Sequence, residues 1–311
     1  MQMNNSMLYA LTVLIWGSTF FAIEFQLGTV APEVSVVYRY VAAAALLFGW
    51  CRFRGLPLRF AVRHHASFML LGLLLFGLNY ILTYHSQIYI TSALAAMAFS
   101  SMVWLNIINS RIFFGMKAGR NVLFGALLGA IGMYLLFAPQ IVEVSFDDTV
   151  FFGSCLAILG ALTASFGNMV SQAIQKAEIP VVQSNAWGMF YGALFMGAIA
   201  LVNGREFTFE WSVAYVGSLT YLAVFGSIVA FGAYLTLLGR IGAHKAGYAM
   251  VMFPVVALIL STLFEGLEIT TMTVTGTLLV LAGNVFVLGT RTATKAPKQP
   301  ASRGRYVTET E

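Results

Sequence analysis

Ten long apolar runs, set apart by short loops that carry nearly all of the charge, leave this chain few ways to fold. Read with a window of about 19 residues, they lie near Met7 to Gln26, Glu33 to Cys51, Ser67 to Gln87, Thr91 to Phe114 and Asn121 to Ala138, then Val150 to Ala173, Val181 to Val202, Trp211 to Leu238, Ala243 to Phe264 and Thr271 to Thr290. A hydrocarbon layer about 30 Å thick is crossed by roughly 20 residues of α-helix, and each run is of that order. Only 9% of the residues are charged, against about 25% in soluble domains, and the mean hydropathy is +0.83. The expectation is an all-α polytopic membrane protein with ten transmembrane helices. The first run lacks a basic stretch in front of it and is followed by Val30-Ala31-Pro32-Glu33 and another apolar run, so it reads as a retained span.

The charges test that count. Lys and Arg collect on the cytoplasmic side of a membrane, while acids are less constrained. With the N-terminus inside and ten alternating spans, fifteen of the seventeen basic residues fall in inner loops or the tail. The outer loops receive Arg205 together with Glu33, Glu143, Asp147, Asp148, Glu206, Glu210, Glu265 and Glu268. Both termini are therefore expected in the cytoplasm, with the protein in a bacterial inner membrane. The net charge of +5 follows from this sidedness and from contact with anionic inner-leaflet lipid, so it gives no reason to expect nucleic acid. Residues 291–311 read as a basic, disordered tail. Cys51 and Cys155 fall toward opposite faces, which excludes a disulfide between them, and no metal or cofactor motif accompanies them.

The chain also repeats itself. "SRIFFGMKAGRNVLFGALLGAIGMYLL" from Ser110 lies over "STLFEGLEITTMTVTGTLLVLAGNVFV" from Ser261 at a constant offset of 151, pairing Gly125 with Gly276 and Gly132 with Gly283. Phe76-Gly77 and Phe225-Gly226 align with a two-residue shift. This points to two five-helix repeats, 1–140 and 141–290. An odd helix number inverts the second copy relative to the first, an architecture of secondary transporters whose site lies between the repeats near the midplane. The glycines of the fifth and tenth spans suit close packing, within the molecule or at a homodimer seam.

Trp16-Gly17-Ser18-Thr19, Tyr38-Arg39-Tyr40 and the paired endings after Phe113 and Leu263 resemble the EamA group of the drug/metabolite transporter superfamily. Within it the chain is similar to bacterial exporters of amino acids, aromatic ones included, and of related metabolites. The resemblance implies a basket of helices around a central cavity, with spans three, four, eight and nine at its heart, one, two, six and seven moving around them, and five and ten at the edge. The family's Gly-Glu pair after the fourth span is replaced here by Gly115-Met116, whereas the second copy has Glu265-Gly266.

Depth along each span selects the residues that would line a cavity: Trp16, Asn79, Tyr80, Met97, Phe99, Ser101, Ser165, Asn168, Trp187, Tyr191, Tyr248 and Phe253. Buried amides and phenols need partners, so they face the bundle or a solute. Pro254 interrupts the ninth span's hydrogen bonding. Glu24 and Arg39 lie near the outer end of the first hairpin at depths that allow a gating or structural ion pair. His85, also near the outer side, is a candidate for proton coupling.

The lining is aromatic, thioether, hydroxyl and amide, without carboxylate or lysine. It suits small neutral or zwitterionic solutes such as amino acids, and its methionines suit looser selection, so a broad drug exporter is the alternative. The metalloprotease, nucleophile-elbow and phosphate-loop signatures of enzymes are missing. A channel is separated from a carrier by saturation and counterflow.

Overall fold

A computed structural model describes residues 3–143, 148–264 and 270–289. The expected tail, the acids Asp147, Glu265 and Glu268, and the Glu265-Gly266 pair lie outside these residues. The described chain is helical throughout, with no strand among the described residues. It forms α1 (Asn5–Glu24), α2 (Pro32–Phe53), α3 (Val62–Tyr89), α4 (Ser92–Phe99 and Met102–Phe114), α5 (Arg120–Glu143), α6 (Asp148–Lys176), α7 (Val181–Val202), α8 (Val213–Ile241), α9 (Ala243–Ala246 and Ala249–Phe264) and α10 (Thr271–Gly289). Six of these, α1, α2, α3, α6, α7 and α8, are individually long and apolar enough to cross a bilayer.

The helix ends follow local chemistry. The Asn4 side chain accepts the Met7 amide at 2.8 Å, Thr91 accepts that of Leu94 at 3.3 Å and Ser212 that of Tyr215 at 3.2 Å, each satisfying an amide that a helix start leaves free. Pro32 opens α2, where a missing N–H costs nothing. Gly115, at φ +65°, closes α4 in a left-handed turn that disfavours a side chain. On the outside, Leu14, Val41, Leu46, Ile131, Leu194 and Val285 are exposed. An apolar outer belt around polar groups buried inside is the inverse of a water-soluble surface.

Two long helices each contain a turn wound at five residues per hydrogen bond: Gly72–Leu78 in α3 and Leu222–Val229 in α8. The first sits where α3 meets α7. A methyl group on Gly72 would lie 2.6 Å from the Gly188 carbonyl oxygen, so the close approach excludes a side chain. The runs expected to be continuous at Thr91 to Phe114 and Ala243 to Phe264 are each interrupted, at Ser100-Ser101 and at Gly247-Tyr248. Hydropathy sees both as one run because it is blind to a local change of winding.

α1 packs against α8 and α9, α2 against α7 and α8, and α3 against α6 and α7, while α5 and α10 lie on one another. A methyl on Gly125 would meet the Gly283 carbonyl oxygen at 2.6 Å, and one on Gly132 would meet that of Gly276 at 2.7 Å. The glycines of these helices therefore serve an internal seam.

Candidate functional site

α1, α3, α4, α6, α8 and α9 line a partly open cavity of about 470 Å³ of atom-free space. Its walls are Trp16, Thr19, Phe20 and Ile23 from α1; Leu75, Asn79, Tyr80 and Thr83 from α3; Phe99 and Met102 from α4; Ala164 and Asn168 from α6; Phe231 and Tyr234 from α8; and Met250 and Phe253 from α9. The free space between its walls is narrow, room for a few waters.

The aromatic wall is ordered by edge contacts. The Trp16 ring meets Phe231, Tyr234 and Phe253 at centroid distances of 4.6, 5.0 and 5.9 Å, within the favourable range for such pairs. Its indole N–H donates to the Gly226 carbonyl at 2.9 Å. That carbonyl belongs to the widened turn of α8, so Trp16 ties the cavity wall to the irregular segment.

Two amides supply the polar floor. Asn79 Nδ2 donates to the Leu75 carbonyl at 3.2 Å, and Asn168 Nδ2 donates to the Tyr234 hydroxyl at 2.9 Å and to Asn106 Oδ1 at 3.3 Å. Their carbonyl oxygens, Asn79 Oδ1 and Asn168 Oδ1, are buried without a hydrogen-bond partner. A buried acceptor left unpaired costs roughly 1–3 kcal/mol, a cost that a donor on a bound solute removes.

Of the twelve lining residues expected from sequence, Trp16, Asn79, Tyr80, Phe99, Asn168 and Phe253 line this cavity. Ser165 stands just behind it, donating to Asn106 Oδ1 at 2.8 Å and accepting from Asn109 at 2.9 Å, in a polar strut between α4 and α6. Met97 and Ser101 face a separate, more open groove among α4, α5 and α6. Tyr248 donates to the Gly125 carbonyl at 2.9 Å and fastens α9 to α5. Trp187 and Tyr191 join Phe48 and His65 near the start of α3, with Trp187 Nε1 donating to the Leu58 carbonyl at 3.1 Å. For these, counting depth from a span's end gave the wrong neighbours, since depth does not fix the direction a helix face points. The cavity residues missed, among them Thr19, Ile23, Thr83, Phe231 and Tyr234, did leave a signal. Trp16, Thr19, Phe20 and Ile23 recur at three- and four-residue spacing on one face of α1, as Asn79 and Thr83 do on α3.

The expected Glu24–Arg39 pair does not form. Glu24 is exposed, whereas Arg39 is wholly buried. Arg39 Nε donates to Ser227 Oγ at 2.9 Å and Nη2 to the Tyr80 hydroxyl at 3.4 Å. Its guanidinium lies 4.4 Å from the Tyr80 ring centroid and 5.4 Å from that of Tyr40. The acid that is buried and paired is Glu33, at the start of α2, 3.4 Å from His85 Nε2 and 3.6 Å from Arg205 Nε. His85 thus belongs to a contact joining α2, α3 and the loop after α7. Pro254 lies within α9 and leaves the helix continuous around it. It lacks the N–H that would bond the carbonyl of Met250, a cavity residue.

A profile of the EamA-like transporter family matches residues 5–138 and again residues 151–289. The chain is 25% identical over 285 residues to an uncharacterized transporter of Bacillus subtilis, YoaV, covering 89% of this chain and 95% of that protein. It is 28% identical over 257 residues to an uncharacterized inner membrane transporter of Escherichia coli K12, YedA, covering 82% and 80%. A solved crystal structure shares the fold at a TM-score of 0.73 and 15% identity, over 91% of this chain and 96% of that one. With that fold, an apolar outer belt and a polar-floored cavity, the chain is a multi-pass membrane protein and a transporter, and it belongs to the EamA-like transporter family.

Proposed function

We propose that this transporter exports small neutral or zwitterionic solutes with apolar side chains, amino acids or related metabolites, by alternating access of the central cavity. The observation that carries the reading is the cavity itself: aromatic rings and two methionine thioethers on its walls, and two amide oxygens, of Asn79 and Asn168, that lack donors. Apolar walls accept a side chain, and the free oxygens accept an ammonium or hydroxyl. An uncompensated lipophilic cation finds no carboxylate among the lining residues.

Two halves in inverted orientation would give such a site two routes. The seam between α5 and α10 supports this symmetry. Gly125 faces Gly283 and Gly132 faces Gly276, and the offset of 151 exchanges one contact for the other, as a two-fold axis requires. The basic ends of the helices face the cytoplasm on this reading, with both termini inside.

Counterflow in proteoliposomes tests the function. Vesicles preloaded with unlabelled phenylalanine, methionine or leucine are expected to accumulate the labelled form saturably. Asn168→Ala is expected to raise KM about 10-fold, the loss of one or two hydrogen bonds to a charged group. Absence of counterflow across all common amino acids would overturn the reading. The paired thioethers of Met102 and Met250 favour the second reading, a broad exporter, for which unrelated apolar compounds would compete with equal strength.

A further inference from the structure

Arg39 is wholly buried among the helices, with no ion pair to an acid among the described residues, where the ion pairs all involve Glu33. A guanidinium carries five N–H donors. Here Nε and Nη2 each have one partner, Ser227 and Tyr80, the buried Tyr84 hydroxyl also interacts with the guanidinium, and Nη1 makes no hydrogen bond of good geometry. A charge taken out of water costs several kcal/mol unless it is paired. The tyrosine faces return part of that through cation–π attraction, but leave the donors open.

The position of the guanidinium matters as much as its poverty of partners. It lies over the ring of Tyr80, which is itself a lining residue of the cavity. Space beside Gly226 shows how thin the remaining wall is: a methyl there would lie 3.1 Å from Arg39 Nη2 and 3.1 Å from the Thr19 methyl carbon, and Thr19 also lines the cavity. The charge therefore lies one side chain behind the cavity surface, between Thr19 and Tyr80. Unpaired acceptors on Asn79 and Asn168 complement it.

We propose that Arg39 is the anion subsite of the transport cavity: when the walls part, a carboxylate on the substrate passes between Thr19 and Tyr80 and pairs with the guanidinium. This rests on the transport reading above and narrows it to solutes bearing an acid group. For an α-amino acid, the ammonium falls to the amide oxygens and the side chain to the aromatic wall. Cations without a carboxylate are repelled, which separates this carrier from exporters of lipophilic amines.

The test uses matched ligands on the full-length protein, by competition for counterflow and by binding to the purified protein in detergent. N-acetylphenylalanine and its amide differ only in carboxylate against carboxamide, and neither carries an ammonium. The acid is expected to bind about 10- to 100-fold more tightly than the amide, the worth of a charge-assisted contact. Phenylalanine is likewise expected to exceed phenylalaninol. Arg39→Gln is expected to shrink the acid preference to within about 3-fold, and Arg39→Lys to restore part of it, since a point charge without the planar fork remains. Equal binding of acid and amide by the unaltered protein overturns the proposal, and that comparison needs no variant to fold. So does an Arg39→Gln protein, monodisperse and thermally cooperative, that weakens both ligands alike. Amino-acid counterflow with no acid preference sinks the subsite and leaves the transport reading. Arg39-dependent binding of N-acetylphenylalanine without any amino-acid counterflow does the reverse.

Discussion

Trp16 joins wall and scaffold in one side chain: its ring packs on Phe231 and Phe253, and its N–H holds the Gly226 carbonyl. Trp16→Phe keeps a ring and removes the donor, leaving a buried carbonyl short of a partner. Thermal unfolding should register a loss of about 1–3 kcal/mol, and counterflow should show a raised KM. Glu24 and Glu33 make the opposite kind of contrast. Glu24→Gln, on an exposed side chain, is expected to leave the unfolding temperature and counterflow unchanged, because exposed charges contribute little. Glu33→Gln removes the charge that His85 and Arg205 share, and a drop in unfolding temperature is expected. Sequence had these two acids the other way round. Rise per residue gives depth, and depth placed Glu24 and Arg39 near one another. Azimuth decides contact, and it turns Arg39 toward α3 and α8, a direction set by tertiary packing and absent from any single helix. The amides were legible for a firmer reason: Asn79 and Asn168 are hard to bury without a use, wherever they point.

At the scale of the elements, the widened turns of α3 and α8 are each an added residue in a helix, and they reset the face presented beyond them. Deleting one residue within Gly72–Leu78 would let α3 run as a regular helix and rotate Asn79 and Tyr80 by about 100° relative to the helix start. Transport is expected to be lost in a protein that still inserts, as membrane fractionation and counterflow together would show. No hydropathy window can see such a turn, because composition is unchanged by winding; Gly77 and Gly226, aligned by self-comparison, were its only trace. The seam of α5 and α10 was legible, since glycine at near-heptad spacing has one common use in membrane helices. Gly132→Leu would drive a side chain into the Gly276 carbonyl and the Val280 backbone. Overpacking of this kind costs about 1–3 kcal/mol or more, and fluorescence-detected size exclusion should report loss of monodisperse protein.

For the molecule as a whole, an all-helical polytopic chain could be read from hydropathy, which acts at the scale of the bilayer, though of the ten runs expected to span only six form helices, among the described residues, individually long and apolar enough to cross. The transporter class rested on the resemblance to the EamA group. The cavity could be read only by half, because it is made from six helices whose relative rotations no local pattern encodes. In the structure the free space between those helices is narrow, and under the proposed transport reading a bound solute is expected to shift them against one another. Spin labels on Met7 of α1 and Lys176 of α6, both exposed, are expected to change separation when a transported solute is added. The glycine contacts of α5 and α10 set the other end of the scale. Backbones that meet without intervening side chains have no rotamers to rearrange, and a slide along the seam would break both glycine contacts together. Labels at Asn121 and Val285 should accordingly keep one distance throughout the cycle. The seam then supplies an internal origin of coordinates, against which the displacement of every other helix can be measured in absolute and not merely relative terms.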